Sequence, residues 1–266
     1  MGRLDNRVAV VTGAGLGIGR GIARRLASEG AAVLVADYNA QAGEVAAADI
    51  RKDFASRAEF MKVDVTQKAD VVAMVEKAVS TFGSVDILVN NAWGTLKGSS
   101  VGRLEWKTDA EMEHAFKVGP MAAYWAMQAA YPHMKSRQWG RIINLGSLNG
   151  VNAHPFSADY NMAKEAIRSI TRSAAREWAR HQICCNIICP AAATEAYRGF
   201  ATAQPENAAL MLRQNPMGRM GDPEQDIGSV ALFLASEDAR YLTGNTLFAD
   251  GGSHINGVNW APDLPE

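Results

Sequence analysis

The sequence predicts a single doubly wound α/β domain, a mostly parallel sheet with helices on both faces. Short runs such as Val8-Ala9-Val10-Val11 and Ala32-Val33-Leu34-Val35-Ala36 are apolar at every position, as strands buried on both faces require. These runs alternate with segments of helical periodicity, which implies right-handed crossovers and parallel strands. The 266 residues contain no Pro/Ser linker, low-complexity tract or internal repeat that would mark a second domain.

The elements follow in order. After the first strand, Ile22, Ala23, Leu26 and Ala27 recur at helical spacing until Gly30. The second strand ends on Asp37, and a helix over 40–53 precedes a strand near 58–63. A helix over 67–82 stops at Gly83, and Val85-Asp86-Ile87-Leu88-Val89 runs into Asn90-Asn91-Ala92. A long helical region covers 108–136, then a strand over 141–145, a helix over 157–181 and a strand over 183–188. Residues 192–220 read as irregular and methionine-bearing, before a helix over 223–236 and a strand over 245–249.

Composition mainly excludes. Lys and Arg number 27 against 28 Asp and Glu, a net charge of −1, which offers no basis for binding nucleic acid or an anionic membrane. No apolar run approaches the ~20 residues of a membrane span, and the first residues show no signal-peptide core. Cys184, Cys185 and Cys189 crowd one segment, a poor disulfide framework that suits a reducing, cytoplasmic setting. They read as buried apolar thiols, and the five histidines form no ligand spacing, so no metal site is expected.

The first chemical signal is Thr12-Gly13-Ala14-Gly15-Leu16-Gly17-Ile18-Gly19, between a strand and a helix. Glycine lets the backbone turn tightly and approach a pyrophosphate, which the free N–H groups of the helix can then hold. Asp37 ends the next strand, eighteen residues past Gly19, where a carboxylate accepts ribose hydroxyls and repels a 2′-phosphate. Neither Leu16 nor Tyr38 supplies an offsetting cation, so the expected cofactor is NAD. The second signal is Tyr160-Asn161-Met162-Ala163-Lys164, whose Tyr and Lys share one helix face. A lysine cation and a positive nicotinamide would both favour the phenolate, making Tyr160 a usable base. Ser147 lies thirteen residues earlier, at the carboxyl edge of the fifth strand, where ligands bind in such sheets.

The spacing Thr-Gly-x-x-x-Gly-x-Gly with Tyr-x-x-x-Lys resembles the short-chain dehydrogenase/reductase family, over roughly residues 6 to 252. Asp64-Val65, Asn90-Asn91-Ala92, Pro216-Met217-Gly218-Arg219 and Thr243-Gly244 to Asp250-Gly251-Gly252 resemble further motifs of that family. The resemblance implies a Rossmann-type fold and hydride exchange between the cofactor and a secondary alcohol or ketone. It makes Tyr160 the proton carrier and Ser147 the holder of the substrate oxygen, with Lys164 on the cofactor ribose. It places Gly13, Gly17, Ile18, Gly19, Asp37, Asp64, Val65, Asn91, Pro190 and Thr194 around the cofactor. A homotetramer is the usual assembly. A substrate lid falls at about 192–220, and its soft apolar residues suit an apolar or cyclic small molecule. The tail, 253–266, would reach over a neighbouring subunit.

The pattern breaks in three places. Trp93 stands where the family has glycine, and Ala191 replaces the glycine of the nicotinamide clamp. Gly119 stands where a catalytic asparagine is usual, a residue that holds a helix kink and a water near the lysine. Pro120 would kink the helix by another route, keeping the water site without the side chain. The competing reading is a weakened or non-catalytic NAD-binding scaffold. Trp93, Trp106 and Trp260 fit a pocket or an interface equally.

Overall fold

In a computed structural model, residues 2–96 and 101–255 are described. The chain runs β1 (Val8–Thr12), α1 (Gly17–Ala27), β2 (Ala32–Asp37), α2 (Ala40–Phe54), β3 (Ala58–Lys62), α3 (Lys68–Phe82) and β4 (Ile87–Asn90). Then come α4 (Asp109–Phe116), α5 (Ala122–Arg137), β5 (Gly140–Leu145), α6 (Leu148–Val151), α7 (Ala158–Trp178) and β6 (Ile183–Pro190). The remaining elements are α8 (Glu195–Ala203), α9 (Pro205–Arg213), α10 (Gly228–Ala235) and β7 (Thr246–Ala249).

The strands form one parallel sheet in the order β3-β2-β1-β4-β5-β6-β7. Period-two alternation divides the core. Ala9, Val11, Val33, Val35, Ile87 and Val89 pack with α1 and α10 on one face. Val8, Val10, Leu34 and Leu88 pack with residues of α3, α5 and α7 on the other. The order reverses between β1 and β4, and the crevice beyond their carboxyl ends is the usual ligand position in an open sheet of this kind.

Two segments depart from the sequence reading. Residues 192–220 are not irregular throughout, since they hold the nine-residue helices α8 and α9. Their signals are local: the Thr194 hydroxyl caps α8 by accepting from the Tyr197 amide, and Pro205 opens α9 at its first position. The helical region over 108–136 is interrupted by a π turn at Lys117–Met121 around Pro120. Proline cannot donate to the carbonyl four residues back. The wider turn accommodates it, with the Ala122 amide donating to Lys117 and Gly119 carbonyls. No helix among the described residues is long and apolar enough to cross a membrane. Trp260 and residues 256–266 of the tail lie outside the described residues.

Candidate active site

The glycine turn joins β1 to α1 at the sheet crevice. Gly13 has φ +63°, a left-handed value that β-carbon-bearing residues resist, and a Cβ there would lie 2.9 Å from Ala92 Cα. A Cβ on Gly19 would stand 2.1 Å from the Gly13 carbonyl oxygen. No side chain caps α1, so its first amides are open to the crevice. A bare backbone under uncapped N–H groups fits a pyrophosphate.

Thr12 ties this turn to β4. Its hydroxyl accepts from the amides of Asn91 (3.0 Å) and Ala92 (3.1 Å). Asn91 Nδ2 returns hydrogen bonds to the carbonyls of Thr12 and Gly13, at 2.9 and 3.1 Å. Asp37 Oδ2 accepts from the Gly15 amide and Oδ1 from the Asn39 amide, both at 2.8 Å. The carboxylate is thereby fixed beside the turn. Lys62, a cation the sequence reading did not weigh, stands 5.5 Å from the centroid of the Tyr38 ring. Asp64 is oriented by Thr66, whose amide and hydroxyl both donate to Oδ1.

A cleft of about 1060 Å³ runs from Asp37 and Tyr38 to Tyr160 and Lys164. Gly13, Gly17, Ile18, Asp37, Asp64, Val65, Asn91, Pro190 and Thr194 all line it. Gly19 and Ser147 do not: Gly19 is buried inside the turn, and Ser147 stands beside Tyr160, which does line the cleft. Leu16, inside the glycine motif, also lines the cleft, as do Glu195 and His114, which carried no motif by which sequence reasoning could find them.

Ser147 lies two residues past the end of β5, where its hydroxyl caps α6 by accepting from the Asn149 amide at 3.1 Å. It also faces the Tyr160 phenol closely enough to favour the ionised form. Burial raises the Tyr160 pKa above its ordinary value, and the Ser147 hydroxyl opposes part of that rise. In the protein alone, then, desolvation outweighs the expected activation. Lys164, 4% exposed, donates to the Leu145 carbonyl at 2.9 Å, and burial lowers its pKa to about 8. Its ammonium lies 5.2 Å from the centroid of the Trp93 ring.

Beside Lys164 is a small cavity of about 10 Å³, about the space of one water. Gly119, Val118, Asn90 and Thr12 line it. The π turn thus preserves a water-sized space beside the lysine without an asparagine side chain. Beneath it, Asn90 Nδ2 donates to Asn144 Oδ1, and Asn144 Nδ2 donates to Thr171 Oγ1, both at 2.7 Å. Among the described residues no His/Cys/Asp/Glu cluster could hold a metal, and all three cysteines are buried and free.

The family model described as enoyl-(acyl carrier protein) reductase matches residues 13–254. A 12alpha-hydroxysteroid dehydrogenase from a Clostridium species is 36% identical, covering 95% of this chain and 98% of its own. A 4-formylbenzenesulfonate dehydrogenase from Comamonas testosteroni is 36% identical, with coverage of 95% and 99%. The crystal structure of levodione reductase superposes with a TM-score of 0.89 at 28% identity, covering 96% of this chain and 100% of its own. The chain belongs to the short-chain dehydrogenase/reductase family. It is an oxidoreductase that moves hydride between a nicotinamide cofactor and an alcohol or ketone.

Proposed function

We propose that the protein is an NAD-dependent dehydrogenase of secondary alcohols, acting on an apolar or cyclic small molecule. The observation that carries this reading is the meeting of Tyr160, Ser147 and Lys164 at one end of a cleft whose other end is the Gly13–Gly19 turn and Asp37. The nicotinamide ring, when bound, accepts or returns the hydride at the carbinol carbon. Ser147 holds the substrate oxygen, and Tyr160 takes or gives its proton at the phenolic oxygen. Lys164 holds the ribose hydroxyls, and its cation favours the phenolate once the site is assembled. Asp37, locked by two backbone amides, supports NAD over NADP because its charge would face a 2′-phosphate. Lys62 lies over the Tyr38 ring and, among the described residues, makes no ion pair with that carboxylate. The exposed apolar side chains of Leu210 and Met211 on α9 and of Met217 support an apolar substrate, with this segment as its lid. The hydroxysteroid named for the Clostridium relative is of the same kind.

Absorbance at 340 nm with NAD, NADP and a panel of cyclic and steroidal alcohols tests the reading. Turnover with NAD that falls about 10²–10⁴-fold in Tyr160→Phe, with NAD binding retained, is the expected result. Tight NAD binding without turnover on any alcohol would instead favour a non-catalytic scaffold. A cytoplasmic homotetramer completes the proposal; exposed Phe116 and Tyr124 on α4 and α5 support association, which light scattering would measure.

A further inference from the structure

Trp93 stands three residues past the end of β4, and its backbone is held on both sides. The Ala92 amide donates to Thr12 Oγ1 at 3.1 Å, and the Gly94 carbonyl is 3.1 Å from His114 Nε2. So bracketed, the indole meets both members of the reacting pair. Its ring is 4.8 Å from that of Tyr160 at an interplanar angle of 85°, an edge-to-face contact. The Lys164 ammonium lies over it at 5.2 Å. A third relation connects it to the missing asparagine. A Cβ built on Gly119 would stand 3.2 Å from Trp93 Cζ3 and 3.2 Å from Ala163 Cβ. The indole and a side chain at 119 would therefore compete for one space.

We propose that Trp93 is a positioning residue for the reacting pair, carrying the Lys164 cation on its ring face and bracing the Tyr160 ring, in the space a side chain at 119 would fill. This rests on the assignment of Tyr160 and Lys164 above. Lys164 has a single hydrogen-bonded protein partner among the described residues, the Leu145 carbonyl. The indole adds a favourable environment for the charged form where burial penalises it. The titratable groups beside the ammonium are Tyr160 on α7 and Cys189 on β6. The Cys189 thiol is pushed up to about 12 and the Tyr160 phenol is raised, so neither ionises near pH 8.

The test needs no substrate. NAD affinity is measured by calorimetry from pH 6 to 10 on the intact protein, with melting temperatures recorded for each variant. Wild type is expected to show an inflection near pH 8 that disappears in Lys164→Met. Trp93→Leu, which keeps an apolar side chain but removes the π face, is expected to move that inflection down by about 0.5–1 pH unit. Trp93→Phe is expected to leave it nearly in place. Gly119→Ala, whose methyl presses on the indole, is expected to give a smaller shift in wild type and none in Trp93→Leu. An unmoved inflection in Trp93→Leu, or an equal shift in Trp93→Phe, would overturn the role of Trp93 alone. An inflection that survives Lys164→Met, or is absent from wild type, would overturn the Lys164 assignment and the role of Trp93 with it.

Discussion

The ammonium of Lys164 donates a 2.9 Å hydrogen bond to the carbonyl of Leu145, the last residue of β5. The central sheet itself thus aims the cation, while α7 supplies the side chain. Burial lowers the Lys164 pKa from 10.5 to about 8, so the folded state holds this proton less tightly than the unfolded chain does. Between about pH 8 and 10.5 the unfolded chain binds more protons, and this group makes stability rise with pH across that window. Below it, the full penalty of the buried charge remains, on the order of 3 kcal/mol. Lys164→Met is expected to melt several degrees higher than wild type at pH 7, with the difference vanishing above pH 10.5, while turnover is lost. Thermal melts across pH check it.

Asp37 binds two backbone amides as well as facing the cleft. Asp37→Ser is expected to weaken NAD binding about tenfold, the loss of roughly one charge-assisted hydrogen bond. It should improve NADP binding by a similar factor as the carboxylate charge disappears. Equilibrium titration with both dinucleotides measures the ratio.

Gly19→Ala places a methyl 2.1 Å from the Gly13 carbonyl oxygen and 2.4 Å from Asn91 Nδ2. Both neighbours are fixed, one as backbone and the other by two hydrogen bonds. The overpacking is expected to cost about 1–3 kcal/mol and to open the turn, so that NAD raises the melting temperature of this variant far less than that of wild type. Differential scanning fluorimetry with and without NAD reads both effects.

Thr12→Val keeps the shape of the side chain and removes the acceptor shared by the Asn91 and Ala92 amides. Two amides lose that partner, at about 1–3 kcal/mol for each one left unsatisfied. The loss loosens the backbone that carries Trp93. Turnover is expected to fall with little change in the KM for NAD, which steady-state kinetics separates.

Much of this was legible in the sequence because its signals are local. Val8 to Thr12 reads as a strand buried on both faces, and Gly13 to Gly19 as a turn, from residues adjacent in the chain. Tyr160 and Lys164 share a face by helical spacing alone. The helices α8 and α9 were missed because Thr194 and Pro205, ordinary helix starters, stood in a stretch whose composition suggested a loop. Trp93 was ambiguous for another reason. Its partners Tyr160, Lys164 and Gly119 lie 67, 71 and 26 residues away, and only the fold brings them together. The raised rather than lowered pKa of Tyr160 was equally hidden, since burial is a property of the packed molecule.

The strand order β3-β2-β1-β4-β5-β6-β7 also has a consequence in time. Every neighbouring pair is parallel, so no two strands can zip through a hairpin before an intervening crossover forms. The dinucleotide half, through Asn90, is contiguous at the start of the chain. On a ribosome adding about 5–20 residues per second, the 141 residues from Gly19 to Tyr160 take roughly 7–28 s to synthesise. The glycine turn therefore precedes Tyr160, the proton carrier proposed above, by seconds, and a nascent chain could meet the dinucleotide before that residue exists.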